Sequence, residues 1–250
     1  MLDSQSPIPL YLQIENAIRT AIDAGELAPM DRLMSEIELS AHYGVSRMTA
    51  RKAVDRLVAE GLLFRQPGKG TFVAKAKIAH GLSTQLSFSA AIEQLGLPHM
   101  TRVLQASLVA APSKVSRPLQ ILEGDEVVFL RRLRYVADEP SALHVAYLPA
   151  EYQSILDMDL TGSLTKLMRT VGAGVAHAKD RVEAVLADTD DARLLAVSPG
   201  APLLLIEGTA YTSSMKPVRF TEGYYRGDRF RFSVDTTLPA DLTPEIKAAL

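Results

Sequence analysis

The chain has 250 residues, 47% of them apolar and 22% charged, which is enough apolar material for one large or two ordinary cores and excludes a disordered chain. Cysteine is absent, which excludes disulfides and thiolate zinc sites, and a net charge of −2 requires that any charge meant for nucleic acid be local. Residues 1–9 lack the apolar run of a secretory signal, and no apolar stretch approaches the roughly 18 residues of a membrane span, so a cytoplasmic protein without membrane contact is expected. From residue 1 to about 75 the pattern is helix, helix, helix, hairpin. Leu10, Ile14, Ile18 and Ile22 recur at helical spacing, with Ala17 and Ala21 on the same side and Gly25 as the stop. Ser35 and Glu38 form a capping box that opens a second helix, which ends at Tyr43-Gly44. Ser46 caps the start of a third, with Val45 as the apolar residue before it. A short helix, a glycine turn and a restarted helix make a helix-turn-helix. Leu62-Leu63-Phe64 and Thr71-Phe72-Val73 then flank a Gly-containing turn, Gln66 to Gly70, as the arms of a hairpin.

A Lys-containing connector, taken as residues 76–81, leads into a β-rich half, residues 82–250. Strands are expected at 102–110, 127–136, 142–148, 175–187, 203–211 and 218–225, and short helices at 113–121, 164–171 and 190–196. Strands interspersed with short helices read as an α+β domain with a mostly antiparallel sheet.

The third helix carries the chemistry of the first half. Ala50, Ala53, Val54 and Leu57 form one apolar stripe, and Arg47, Met48, Arg51 and Lys52 project opposite it. An arginine fork can bind guanine O6 and N7 bidentately from the major groove. Ser46 and Thr49 add hydroxyls suited to phosphate oxygens. At the hairpin tip, Gly68 and Gly70 let the backbone approach a groove and Lys69 brings charge. Each cation alone would read as an ordinary solvated residue. Helix, glycine turn, basic helix and basic hairpin in this order point to DNA.

Residues 7–73 resemble the winged helix-turn-helix of the GntR family of bacterial regulators. The resemblance lies in Leu33-Met34-Ser35-Glu36, in the run from Tyr43 through Ala53, in Glu60-Gly61-Leu62-Leu63 and in the run from Gly68 through Val73. It implies that Arg47 and Arg51 read bases while the Gly68-Lys69-Gly70 wing enters the minor groove. Two positions depart: the family usually has proline where Met34 stands and often arginine where Ile37 stands. Ile37 cannot make an arginine's contact, which leaves the choice of operator open.

The second half is similar to the UTRA effector domain of the HutC-type branch of that family, a fold resembling chorismate lyase. The similar pieces are Leu86-Ser87-Phe88-Ser89, Arg131 to Arg134, Tyr147-Leu148-Pro149, Gly162-Ser163-Leu164, Ala192 to Leu195 and Tyr224 to Phe230. The residues agree with a binding site. Arg132 and Arg134 alternate on a strand and face one side, where they can hold an anion or pair with acids of a neighbouring strand. Ser163 opens a helix, as anion donor or plain cap. Ser87 and Ser89 precede another helix. By resemblance Ser87, Phe88, Ser89, Arg132, Arg134, Ser163 and Tyr225 fall at effector-contacting positions. His144 and Arg219 stand where the branch's amino-sugar-phosphate sensors carry glutamates. Histidine and arginine suit acceptors or negative charge, which points away from an amino-sugar phosphate and toward a phosphorylated, phosphonate or carboxylate ligand.

The resulting expectation is a transcriptional regulator, read as a repressor, that binds a palindromic operator on double-stranded DNA as a homodimer and responds to a small anion. The alternative is a chorismate lyase-like enzyme domain fused to a DNA-binding module. The sequence has no H-E-x-x-H, G-x-S-x-G or P-loop signature. Gly172-Ala173-Gly174 reads as a helix cap followed by a strand. His42, His80, His99, His144 and His177 show no metal-ligand spacing. No metal or cofactor is expected. The chain is too short for the aminotransferase-fused branch, so pyridoxal phosphate is not expected either.

Overall fold

The computed structural model describes residues 2–3, 5–75, 77–81 and 87–234. Residue 76 of the expected connector, and 82–86 and 235–250 of the expected second domain, lie outside the described residues. The chain divides into two units, Met1–Lys77 and Ile78–Leu250.

In the first unit α1 (Leu10–Asp23), α2 (Glu36–Tyr43) and α3 (Arg47–Ala59) precede a hairpin of β1 (Leu63–Gln66) and β2 (Gly70–Val73). The capping box at α2 forms as the sequence requires, and Gly44 ends that helix at φ 66°, a left-handed conformation that glycine adopts without strain. Ser46 starts α3 by accepting a hydrogen bond from the Thr49 N–H. Ile14, Ile18, Leu39, Ala53, Val54 and Leu57 are buried together, and Leu63 and Val73 of the hairpin close the cluster. Each large apolar side chain so buried contributes on the order of 1.5–3 kcal/mol. Arg32 bridges to Phe72, adding a third short segment beside β2.

The second unit is built on a six-stranded antiparallel sheet. Its strands are β4 (His99–Ala110), β5 (Glu126–Val136), β6 (Glu139–Pro149), β7 (His177–Leu186), β8 (Pro202–Tyr211) and β9 (Pro217–Arg226), in the order β4-β5-β6-β9-β8-β7. On one face Val128, Leu130 and Leu148 pack under a 3-10 turn, Ala150–Asp157, and under α6 (Leu164–Thr170). On the other, α5 (Ser113–Leu119) and α7 (Thr189–Leu195) cover two clusters, one around Val127 and Phe220, the other around Leu133 and Leu203. Strand β5 is therefore buried on both sides, and its residues alternate between two cores. A further helix, α4 (Phe88–Gln94), joins the first face.

Three expectations need correction. Residues 78–81 are not connector: Ile78–Gly81 form β3, which pairs in parallel with β10 (Phe230–Ser233). Ser89 does not precede a helix but sits inside α4, which Ser87 caps. The strand expected from residue 175 begins at His177, although the Ala176 N–H already donates to the Tyr211 carbonyl at the end of β8 at 2.8 Å.

Candidate DNA-reading face and effector cavity

On α3 the apolar stripe is buried while Arg47, Met48, Arg51 and Lys52 are exposed. Arg47 and Lys69 are exposed and make no ion pair among the described residues. Arg51 stands 3.7 Å from Asp55 one turn on, and Arg65 reaches both Asp55 at 2.7 Å and Glu36 at 2.9 Å. Arg65 thus ties the wing strand to α2 and α3. Lys52 lies over the Tyr11 ring, 3.9 Å from its centroid. Exposed pairs of this kind are worth about 0–1 kcal/mol, so a phosphate can displace them. The Ser46 and Thr49 hydroxyls lie 2.8 Å apart, so their first role is to fix the start of α3. At the wing tip Gly68 and Gly70 have φ of 73° and 125°. A Cβ on Gly70 would stand 3.1 Å from the Arg32 guanidinium, a cation beside the wing that periodicity alone did not single out.

In the second unit a single cavity of about 180 Å³ brings together Ser87, Phe88, Ser89, Arg132, Arg134, His144, Ser163, Arg219 and Tyr225. The register explains the convergence. Arg132, His144 and Gly223 are neighbours across β5, β6 and β9, and Arg134, Ala142 and Tyr225 form the next row. Arg132 is 4% exposed and donates to the Leu160 and Gly162 carbonyls at 3.3 and 3.1 Å. Arg134 is 1% exposed, donates to the Ser89 hydroxyl at 2.6 Å and stacks 4.6 Å from the Phe88 centroid. Among the described residues neither pairs with a carboxylate, so the acid-paired alternative is not what forms. Arg131, on the opposite face, does pair with Asp191 at 2.9 Å.

Burial, with the nearby cations Arg134 and Arg219, pushes the Arg132 guanidinium down to about 9, and burial lowers Arg134 to about 10. Arg219 is lowered by burial, against the opposing charges of Asp180 and Tyr225. Three cations thus share a cavity with little counter-charge. Ser163 caps α6 and also donates to the Ser87 hydroxyl at 3.0 Å, tying the starts of α4 and α6 together. His144 packs edge-on against Phe88 and Tyr225, with centroids 5.3 and 5.2 Å away. Thr165, Asp180 and Gly208 also line the cavity, and sequence reasoning missed them. The available signal was glycine inside a strand, at 208 and 223, where a backbone is approached closely. Among the described residues no cluster of His, Asp and Glu is arranged to hold a metal ion.

Residues 10–73 match the model of "Bacterial regulatory proteins, gntR family", and residues 94–231 match that of the "UTRA domain". The HTH-type transcriptional repressor NagR of Bacillus subtilis (strain 168) is 33% identical over 233 residues, spanning 92% of this chain and 96% of that protein. The histidine utilization repressor of Pseudomonas putida is 31% identical over 228 residues, 91% of this chain and 92% of that one. Among solved structures, PhnF from Mycobacterium smegmatis superposes with a TM-score of 0.66 at 24% identity, covering 90% of this chain and 100% of that chain, a likeness of fold. The fold and these matches define a DNA-binding transcriptional regulator with a separate UTRA effector domain. The chain belongs to the gntR family of bacterial regulatory proteins, in its HutC-type branch.

Proposed function

We propose that the chain is a cytoplasmic, homodimeric repressor without enzymatic activity, whose affinity for a palindromic operator is set by a small anion bound in the second unit. The observation that carries the ligand's chemistry is the pair of buried guanidiniums, Arg132 and Arg134, bonded among the described residues only to neutral oxygens and facing a cavity. A buried cation without counter-charge is costly, and a phosphate, phosphonate or carboxylate relieves that cost through charge-assisted hydrogen bonds. Ser87, Phe88, Ser89, His144, Ser163, Arg219 and Tyr225 complete the binding set. The relatives named as repressors support the direction of control and a regulator over an enzyme.

On DNA, Arg47 and Arg51 read base edges, while Ser46, Thr49, Lys52 and the Gly68-Lys69-Gly70 wing hold the duplex. One such unit makes few base contacts, so specificity calls for two half-sites and two copies. The edge strand β7 supports association, since Val182 and Leu186 on it are 43% and 73% exposed. Light scattering of the full chain at micromolar concentration should give a dimer, and a monomer would exclude this mode.

Coupling requires that the anion prefer one arrangement of the DNA-binding units over another, with about 1–3 kcal/mol as the usual size. Thermal-shift screening of anionic and neutral metabolites, repeated on Arg132→Ala, tests the ligand reading. Anionic hits should disappear in the variant. A best ligand that is neutral, or one that binds the variant equally well, overturns it.

A further inference from the structure

We propose that Asp180 forms an acidic subsite at the far end of the cavity, so that the effector is a zwitterion: its anionic group sits at Arg132 and Arg134, and a cationic nitrogen sits at Asp180. This rests on the anion-binding reading above and adds the other end of the ligand.

Asp180 lies on β7 and pairs in register with Gly208 of β8, which in turn pairs with Thr221 of β9. A side chain on a strand normally stands up from its own position. Asp180 instead leans across its neighbour. A Cβ built on Gly208 would lie 1.7 Å from the Asp180 Oδ1 and 2.7 Å from its Cγ. The carboxylate therefore occupies the space that a side chain at 208 would fill. Gly208 does not have a left-handed backbone here. The glycine is needed for room, and the room is used by an acid that lines the cavity.

The acid has no local task. Among the described residues Asp180 makes no hydrogen bond and no ion pair, and the opposite charge it feels is that of Arg219 at longer range. Asp180 as a residue is exposed, as the rest of β7 is, but its carboxylate leaning over Gly208 is partly desolvated, which raises it from the ordinary aspartate value, with Arg219 opposing. The other acid at the cavity, Glu222, is already engaged by Lys114 through both oxygens, at 2.7 and 2.8 Å.

The cavity is thus polarised. Arg132 and Arg134 stand on β5, Arg219 on β9 and Asp180 on β7. Four strand spacings, roughly 19 Å between backbones, separate β5 from β7. The long arginine side chains and the inward-leaning carboxylate narrow that gap from both ends. A plain anion would find Asp180 repulsive. A molecule with a phosphate or carboxylate at one end and an ammonium at the other satisfies both ends.

The test uses matched pairs of probes, n-alkylphosphonates against ω-aminoalkylphosphonates of the same chain length, titrated calorimetrically into the full chain. The best amino member should bind about tenfold tighter than its plain partner. Asp180→Asn should erase that preference in a crossed way, weakening the amino member and tightening the plain one, because the variant removes both an attraction and a repulsion. Loss of folding cannot produce opposite changes in two ligands. Equal binding of both members by the wild type, or an equal loss for both in the variant, removes the acidic subsite and leaves the anion site standing. The same pairs are run as alkylcarboxylates against ω-aminoalkylcarboxylates and as alkyl phosphates against ω-aminoalkyl phosphates, and if no anion of any of the three kinds binds, the anion site fails and the zwitterion fails with it.

Discussion

In the first unit cations are carried on the surface and lean on acids or rings: Arg51 beside Asp55, Arg65 between Asp55 and Glu36, Lys52 over Tyr11. In the second unit Arg132 and Arg134 are buried and bonded to a pair of carbonyls and a hydroxyl. The first arrangement suits a long polyanion of fixed spacing, which arrives at the surface and exchanges exposed ion pairs for phosphates at little cost. The second suits a small enclosed anion, as proposed above, because no carboxylate among the described residues pairs with these arginines and the ligand would supply the counter-charge. Surface cations give affinity that salt screens, and buried ones give selectivity that salt hardly touches.

The largest expected effect sharpens that contrast. Arg132→Met should lower affinity for the anionic effector at least a hundredfold, about 3 kcal/mol, in a calorimetric titration. The unliganded variant should melt no lower than the wild type, since relief of a buried cation without a counter-charge among the described residues offsets the loss of its two hydrogen bonds to the Leu160 and Gly162 carbonyls. A large fall in its melting temperature would make Arg132 a structural residue and break the comparison. Next, Arg51→Ala should cost about 1–3 kcal/mol on an operator duplex and much less on a scrambled one. An equal loss on both would reduce Arg51 to a phosphate contact.

A smaller gain of opposite sign is expected from Asp55→Asn. It removes a negative charge from the DNA face and frees Arg51 and Arg65 from it. Affinity for any duplex should rise several-fold at low salt, and the salt dependence should steepen. Unchanged binding would mean that the two arginines are already free in solution.

The smallest effect is a pH dependence. Arg132 is lowered to about 9 in the folded chain, so as the pH rises through about 9 the folded state releases a proton that the unfolded state keeps. Stability of the unliganded protein should therefore rise over that interval, and anion affinity should fall. Denaturant unfolding from pH 8 to 10, compared with Arg132→Met to subtract other groups, reads it. A saturating anion should flatten the rise.

Much of this was legible from local signals. The capping box at Ser35, the Ser46 cap, the buried stripe of α3 and the alternation of Arg132 and Arg134 are short-range patterns, and each forms. The nine residues expected around an effector share one cavity, although the resemblance, more than periodicity, singled them out. Pairings distant in sequence were not legible. Strand β3 looks like a connector until β10, some 150 residues on, gives it a partner. Asp180 sits on a strand whose residues are mostly exposed, and nothing local says that its carboxylate leans inward. The missing side chain at Gly208, two strands' worth of sequence away, decides that. The 3-10 turn Ala150–Asp157 escaped notice because tertiary packing of Tyr152 and Ile155, not helical periodicity, holds it.

Gly223 lies in the floor of the cavity, where an added Cβ would come within 2.8 Å of the Tyr225 ring and 3.4 Å of the His144 ring. One methyl group there is enough to crowd the site, and a glycine codon becomes an alanine codon by a single base change. The helix-turn-helix would be untouched by that change. On the reading proposed above, deafness to the effector therefore lies one mutational step away, at a position outside the helix-turn-helix. In a population under fluctuating supply of the ligand, the proposed repressor would be locked on its operator by that change and released again by reversion at one position.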